Sequence, residues 1–130
     1  MEAKGRGAGR GRGRRRGRAR RVLRFLEPCL LMLLHEQESH GYHLLSELES
    51  FGFDPAALDP SLVYRALREM ETGGWVVSRW DDESLGPRRR VYTLTLQGED
   101  RLLGWIEDLR NTRLEIERLE KRYYRHINEN

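Results

Sequence analysis

Residues 59–76 read DPSLVYRALREMETGGWV, and they hold a helix start, an amphipathic pattern, a helix stop and the first residues of a strand. Asp59 suits an N-cap, and Pro60 suits the first helical position, where no N–H is needed. Val63, Ala66, Leu67 and Met70 recur at i, i+3, i+4 and i+7, which makes one apolar stripe. Ser61, Tyr64, Arg65 and Arg68 fall on the opposite side. Gly73 and Gly74 end the helix. Trp75, Val76 and Val77 then open a strand.

Upstream, Pro28 and the run Leu30 to Leu34 predict a first helix over 27–36 that is apolar nearly all round. A helix of that kind must be enclosed, by its own domain on one side, with a partner subunit a candidate for the other. Ser39-His40-Gly41 reads as a turn. A second helix is predicted over about 41–51, with Leu44, Leu45, Leu48 and Phe51 facing inward. A loop with two prolines, 52–60, leads to the helix already described. Downstream, 75–80 and 88–94 read as two strands joined by the charged turn DDESLGP. On the second strand, Val91 and Thr93 share one face, and Tyr92 and Leu94 the other. Three helices followed by a hairpin is the order of a winged helix-turn-helix, with the hairpin as the wing. The free face of the third helix, with its hydroxyl, phenol and two guanidinium groups, is chemically suited to a DNA major groove.

Charge is divided unevenly along the 130 residues. Residues 1–25 carry ten arginines and Lys4 against Glu2, whereas the remainder holds 13 basic and 20 acidic residues. The pI near 9.3 therefore belongs mostly to the tail. Residues 1–24 are low in complexity and rich in Arg and Gly, so they are expected to be disordered alone. Arg14, Arg15 and Arg16 at their centre can neutralise nucleic-acid phosphates without reading sequence. A solubilising tail is the plainer reading, and RGG-type RNA-binding segments are loosely similar.

Thr95 can cap a last helix running to about residue 126, roughly 45 Å at 1.5 Å per residue. Leu102, Leu109, Ile116 and Tyr123 repeat every seven residues, Trp105, Ile106 and Leu119 widen the stripe, and Asn111, Thr112 and Arg113 interrupt it. Such a repeat on a helix that outreaches its small body favours a homodimer seam over a fold-back on its own domain. The expected organisation is a tail over 1–24, a DNA-binding domain over 25–95 and a dimerisation helix over 96–130. The fold class is mainly α, within α+β.

Several functions are disfavoured. One cysteine, Cys29, allows no intramolecular disulfide, and with no signal peptide apparent it points to a reducing interior. The longest apolar run, 29–34, is too short for a bilayer. His35, His40 and His43 lack a carboxylate cluster or second cysteine, so no metal site is expected; a structural bond is the reading for His40. Cys29, set among leucines, reads as an inert buried thiol rather than a redox sensor. No catalytic constellation and no cofactor motif appears, and no Gly-rich loop lies between strand and helix.

Five segments in order, LEPCLLMLL at 26–34, HGYHLLSEL at 40–48, PSLVYRALREMETGGWV at 60–76, GPRRRVYTLT at 86–95 and Gly98, resemble the PadR family of transcriptional regulators. The resemblance covers 25–110 and is closest to members with a single C-terminal helix; the Arg/Gly tail is not a fixed feature of that family. It implies a homodimeric winged-helix protein that binds double-stranded DNA at a palindromic operator. It also implies repression, often relieved by a small molecule, and a cytoplasmic, nucleoid-associated location. By position it places Ser61, Tyr64, Arg65 and Arg68 on the recognition helix and Arg88, Arg89 and Arg90 on the second wing strand. A ligand cleft of the family type, between the first and last helices, would be lined by Trp105, Ile106 and Leu109 and take a small hydrophobic or aromatic effector.

Each assignment has a plainer competitor. Tyr64 can pack at a domain edge. Arg65 and Arg68 can pair with Glu69, Glu71 or Glu47, at a few tenths of a kcal/mol. The wing arginines can be neutralised by Asp81, Asp82 and Glu83. At the level of the whole chain, the alternatives are a non-specific RNA or DNA binder led by the tail and a winged helix that binds protein.

Overall fold

The computed structural model describes residues 25–54, 56–82 and 86–129. Helix α1 spans residues 25–36 of these. It is followed by β1 (Ser39–His40), α2 (Gly41–Glu47), a 3-10 turn (Leu48–Phe51), α3 (Pro60–Thr72), β2 (Val76–Asp81), β3 (Arg89–Leu94) and α4 (Leu96–Glu129). This is a winged helix-turn-helix with a long C-terminal helix.

The local rules operate as expected at α3. The Asp59 carboxylate accepts from the Ser61 N–H at 3.0 Å, with Pro60 in the first turn. At the other end Gly73 is the C-cap, and Gly74 takes a left-handed φ of 85° that turns the chain into β2. Val63, Leu67 and Met70 are buried, and Ala66 packs partly against them.

The sheet has three strands rather than the expected two. Ser39 and His40 form β1 and pair with Tyr92 and Val91, so β3 lies in the middle of an antiparallel order β1-β3-β2. A two-residue polar strand has no alternation of its own to reveal it; the free edge of β3 supplies its pairing. The second helix also stops earlier than expected. After Glu47 the chain tightens into the 3-10 turn and leaves through Gly52, left-handed at φ 95°. The hydroxyls of Ser46 and Ser50 each bond the carbonyl three residues back, at 2.9 and 2.8 Å. Such back-bonding competes with regular helix propagation.

The core joins α1, α2, α3 and β2. Leu26, Leu30, Leu31, Leu44, Leu48, Val63, Leu67, Met70 and Val76 are all less than 2 % exposed. Side chains so placed contribute about 1.5–3 kcal/mol each relative to exposure. Leu30, Leu31, Leu33 and Leu34 are buried and Met32 partly so, so one copy of the chain already encloses its all-apolar helix. α1 also begins before residue 27: Leu26 is buried, and Phe25 stacks on Phe53 with ring centroids 6.0 Å apart.

The long helix α4 is anchored at its first turns. The Thr95 hydroxyl donates to the Gly74 carbonyl at 2.7 Å and accepts from the Gly98 N–H at 3.0 Å. Glu27 on α1 accepts from Arg101 at 2.6 Å and from the Trp105 indole N–H at 2.5 Å. Leu102 lies in the core of its own domain. From Arg110 onward every residue up to Glu129 is exposed, so most of the 34-residue helix, roughly 50 Å long, projects from the body.

Gly98 is required by a close approach. A Cβ there would overlap the carbonyl oxygen of Trp75 and the side chain of Leu94, whereas one at Gly104 would meet nothing. Gly98→Ala is therefore expected to destabilise the fold by about 1–3 kcal/mol through overpacking against backbone. Gly104→Ala should be stabilising by up to about 1 kcal/mol from helix propensity. Denaturant midpoints of the two variants moving in opposite directions would confirm the approach; equal shifts would refute it.

Candidate nucleic-acid interface

The four exposed polar residues of α3 share one face. At 100° per residue, Ser61, Tyr64, Arg65 and Arg68 fall within an arc of about 100°, opposite Val63, Leu67 and Met70. Arg65 lies 3.7 Å from Glu69 in an i,i+4 pair whose side chains are both about 70 % exposed, so the pair holds it weakly. Arg68 makes no hydrogen bond or ion pair among the described residues and is exposed. Tyr64 combines its two competing readings. Its ring lies against Gly41, where a Cβ would overlap Cε1, yet the residue remains 37 % exposed. Glycine at the start of α2 thus lets the tyrosine ring approach the backbone of the helix-turn-helix.

The wing rises from the end of α3. Its register pairs Ser78 with Tyr92, Trp80 with Arg90 and Asp81 with Arg89. Arg88, Arg89 and Arg90 are all exposed. Arg88 forms an exposed ion pair with Asp82 at 3.0 Å, the neutralisation expected across the hairpin. Arg88 and Arg90 also lie 5.2 and 4.9 Å from the centroid of the Trp80 ring, within cation–π reach. Arg79 pairs with Glu38 at 2.5 Å, spanning the central strand from β2 to the segment before β1.

A polar chain ties helix to wing. Ser78 donates to Glu71 at 2.8 Å, and the Arg90 Nε donates to Ser78 at 2.8 Å. Tyr92 is buried beside them. Burial raises its phenol above the ordinary pKa, the Glu71 carboxylate adds to the rise, and Arg90 opposes it. The hydroxyl therefore stays protonated at neutral pH and adds no charge beneath the arginines. Ser78, Trp80 and Gly41 were not singled out from sequence, and Glu71 only as a possible partner for Arg65 or Arg68. Counting back symmetrically from the DDESLGP turn pairs Trp80 with Arg88; the observed register is shifted by two residues and pairs it with Arg90.

The seam residues of α4 divide into two groups. Leu102 is buried, and Trp105 and Leu109 are half-buried, all near the body. Ile106, Ile116, Leu119 and Tyr123 are exposed by 51–71 % and continue the same stripe outward. Trp105 is half-buried with its N–H committed to Glu27, so of the suggested cleft residues only Ile106 is open. Arg14, Arg15, Arg16 and Glu83 lie outside the described residues.

The remaining titratable groups add no second site. His40 Nδ1 is buried without a hydrogen-bond partner among the described residues, where sequence suggested a structural bond. His35 instead bonds Glu99 at 2.7 Å, linking α1 to α4. Among the described residues no group of three His, Cys, Asp or Glu side chains is placed to hold a metal, and no helix is long and apolar enough to cross a membrane.

Comparison with known proteins places this geometry. The model of the transcriptional regulator PadR-like family matches residues 30–103. A conserved protein of unknown function, TM0937, a potential transcriptional factor, is 32% identical with a TM-score of 0.69, over 80% of this chain and 91% of that one. A PadR family transcription regulator from Clostridium difficile R20291 shares the fold at TM-score 0.64 and 23% identity, over 73% of this chain and 97% of that one. Bacillus subtilis PadR in complex with operator DNA gives a TM-score of 0.56 at 26% identity. That match covers 65% of this chain and 48% of the Bacillus protein, about half its length. No curated protein matches the sequence significantly.

Cys29 is 3 % exposed, and burial pushes its thiol up to about 12 from 9.0. The folded state therefore holds its proton more tightly than the unfolded chain. The thiol's contribution to stability is full below pH 9 and is lost as pH rises through 12. At pH 8 a thiol reagent such as DTNB should label Cys29 no faster than the protein opens, with rapid labelling only after denaturant is added. Fast stoichiometric labelling of native protein would contradict the buried, inert assignment.

Proposed function

The chain belongs to the transcriptional regulator PadR-like family, and from that premise we propose that it is a sequence-specific DNA-binding regulator acting as a homodimer on a palindromic operator. The observation that carries this reading is the joint exposure of Ser61, Tyr64, Arg65 and Arg68 on α3 beside the arginine-bearing wing. The structure of Bacillus subtilis PadR with operator DNA supports the same use of the fold here. α3 enters the major groove, and Arg68 is the leading base-contact residue, because no hydrogen bond or ion pair among the described residues engages its guanidinium. Tyr64 and Arg65 contact the edge of the groove or its phosphates, and Ser61 the backbone. Arg88, Arg89 and Arg90 meet the flanking backbone, and Arg14, Arg15 and Arg16 of the tail add affinity without selectivity.

Repression relieved by an effector is the form of regulation we propose. A small hydrophobic or aromatic molecule would sit where α1 meets α4, against Trp105, Ile106 and Leu109. A regulator of this kind works on nucleoid DNA in the cytoplasm. The dimer is supported by the exposed stripe Ile116, Leu119 and Tyr123, which nothing among the described residues covers. Two copies would then place their α3 helices in successive major grooves, with half-sites about one helical turn apart.

Selection of bound sequences from a random duplex pool, with and without residues 1–24, tests the reading. A palindrome recovered in both cases is expected. Loss of all discrimination on deleting the tail would instead favour the non-specific, tail-led binder. On the recovered duplex, Arg68→Ala should relax base preference at one position by about 1–3 kcal/mol; uniform weakening across sequences would assign Arg68 to phosphate. Ile116→Asp should convert a dimeric mass at micromolar concentration to a monomeric one without unfolding the body, as read by sedimentation. A monomeric wild type would end the dimer proposal.

A further inference from the structure

Arg90 differs from its neighbours in how it is held. Its Nε donates to the Ser78 hydroxyl at 2.8 Å, and Ser78 in turn donates to Glu71 at 2.8 Å. A hydroxyl has one proton to give. With that proton committed to Glu71, the Ser78 oxygen can only accept from Arg90, so the direction of the chain is fixed. The carboxylate sits in the last turn of α3, the hydroxyl on β2 and the guanidinium on β3. On the same strand face the Trp80 ring lies 4.9 Å from the Arg90 guanidinium carbon. The Nε bond and the ring restrain the arginine's rotamers, while its two terminal nitrogens are given no partner among the described residues. Arg88, by contrast, is spent in part on Asp82.

We propose that Glu71, Ser78 and Trp80 are positioning residues that present the terminal nitrogens of Arg90 to a DNA phosphate and lock the wing to the end of α3, so that helix and wing engage DNA as one rigid reader. The inference rests on the DNA-binding reading above. Preorganisation of this kind raises affinity by removing the ordering of a flexible side chain from the binding step. It also couples two contacts that are remote along the chain: a phosphate held by the wing fixes the angle at which α3 lies in the groove.

The test uses the full chain, the duplex recovered by selection and a random duplex of equal length, with affinity measured across a salt series. Arg90→Ala is expected to weaken binding and to reduce the slope of log K against log salt by about 1. Ser78→Ala should weaken binding about 3- to 10-fold. Ser78→Thr, which keeps the hydroxyl, should restore it. In an Arg90→Ala background, Ser78→Ala should change affinity less than about 2-fold, because the residue acts only through Arg90. Glu71→Ala should mimic Ser78→Ala, while Glu71→Gln, which keeps an acceptor oxygen, should stay near wild type; this pair serves if Ser78→Ala fails to fold. Equal losses from Ser78→Ala in both backgrounds, or no rescue by threonine, would overturn the positioning role while leaving DNA binding intact. Wild type that binds both duplexes equally would overturn the underlying reading and this one with it.

Discussion

Trp75 is the junction on which the rest of the structure depends. Its N–H bonds the carbonyl of Met70, which closes α3, and its carbonyl accepts from the Thr95 N–H, which starts α4. The same carbonyl lies against Gly98, so α4 can pack only where a side chain is missing. The indole face carries the Arg101 guanidinium 3.5 Å above it, and Arg101 is gripped by Glu27 from α1. The end of α3, the start of the wing and the start of the projecting helix thus meet at one residue. If this residue moved, the angle between α3 and α4 would change with it. Trp105 is tied into the same joint, since Trp105 and Arg101 share the Glu27 carboxylate.

Charge is partitioned in the same spirit. The body beyond residue 25 is net acidic, and many of its exposed arginines are engaged locally: Arg79 by Glu38, Arg113 by Glu117, Arg65 weakly by Glu69. Among the described residues, exposed basic groups without a local ion pair remain on α3 and the wing, as Arg68, Arg89 and Arg90, and also along α4, as Arg110, Arg118, Lys121, Arg122 and Arg125. On the proposed reading, a net-acidic body adds little general attraction for DNA, so binding would depend on where its arginines are placed. On the same reading, the tail would add affinity and α3 selectivity.

Much of the fold was legible because its signals are local. Asp59, Pro60 and the paired glycines bound α3, the i, i+3, i+4 spacing of Val63, Leu67 and Met70 faces it inward, and Thr95 caps α4. Each of these acts within four residues of itself. What was missed acts across the chain. β1 owes its existence to the free edge of β3, and the shortened α2 to back-bonding serines. Leu102 and Trp105 belong to the same heptad stripe as Ile116, yet the first is buried in its own domain and the second is tied to Glu27. A periodic stripe states that a face will be covered; it does not state by what.

The site divides along the same line. The sequence by itself determined which residues α3 and the wing would expose, because amphipathic spacing decides the outward face of a helix and alternation the faces of a strand. It also determined the family, through five segments in order. Only the tertiary structure decided that Tyr64 lies on Gly41, that Arg88 and Arg90 flank Trp80, and that Glu71 reaches Arg90 through Ser78. These contacts join residues separated by up to 23 positions, from Gly41 to Tyr64. The physical reason is that a hydrogen bond or a ring contact needs ångström-scale placement, which no periodicity encodes. That placement comes from packing of the whole core, and it is what turns a row of exposed cations into an oriented surface.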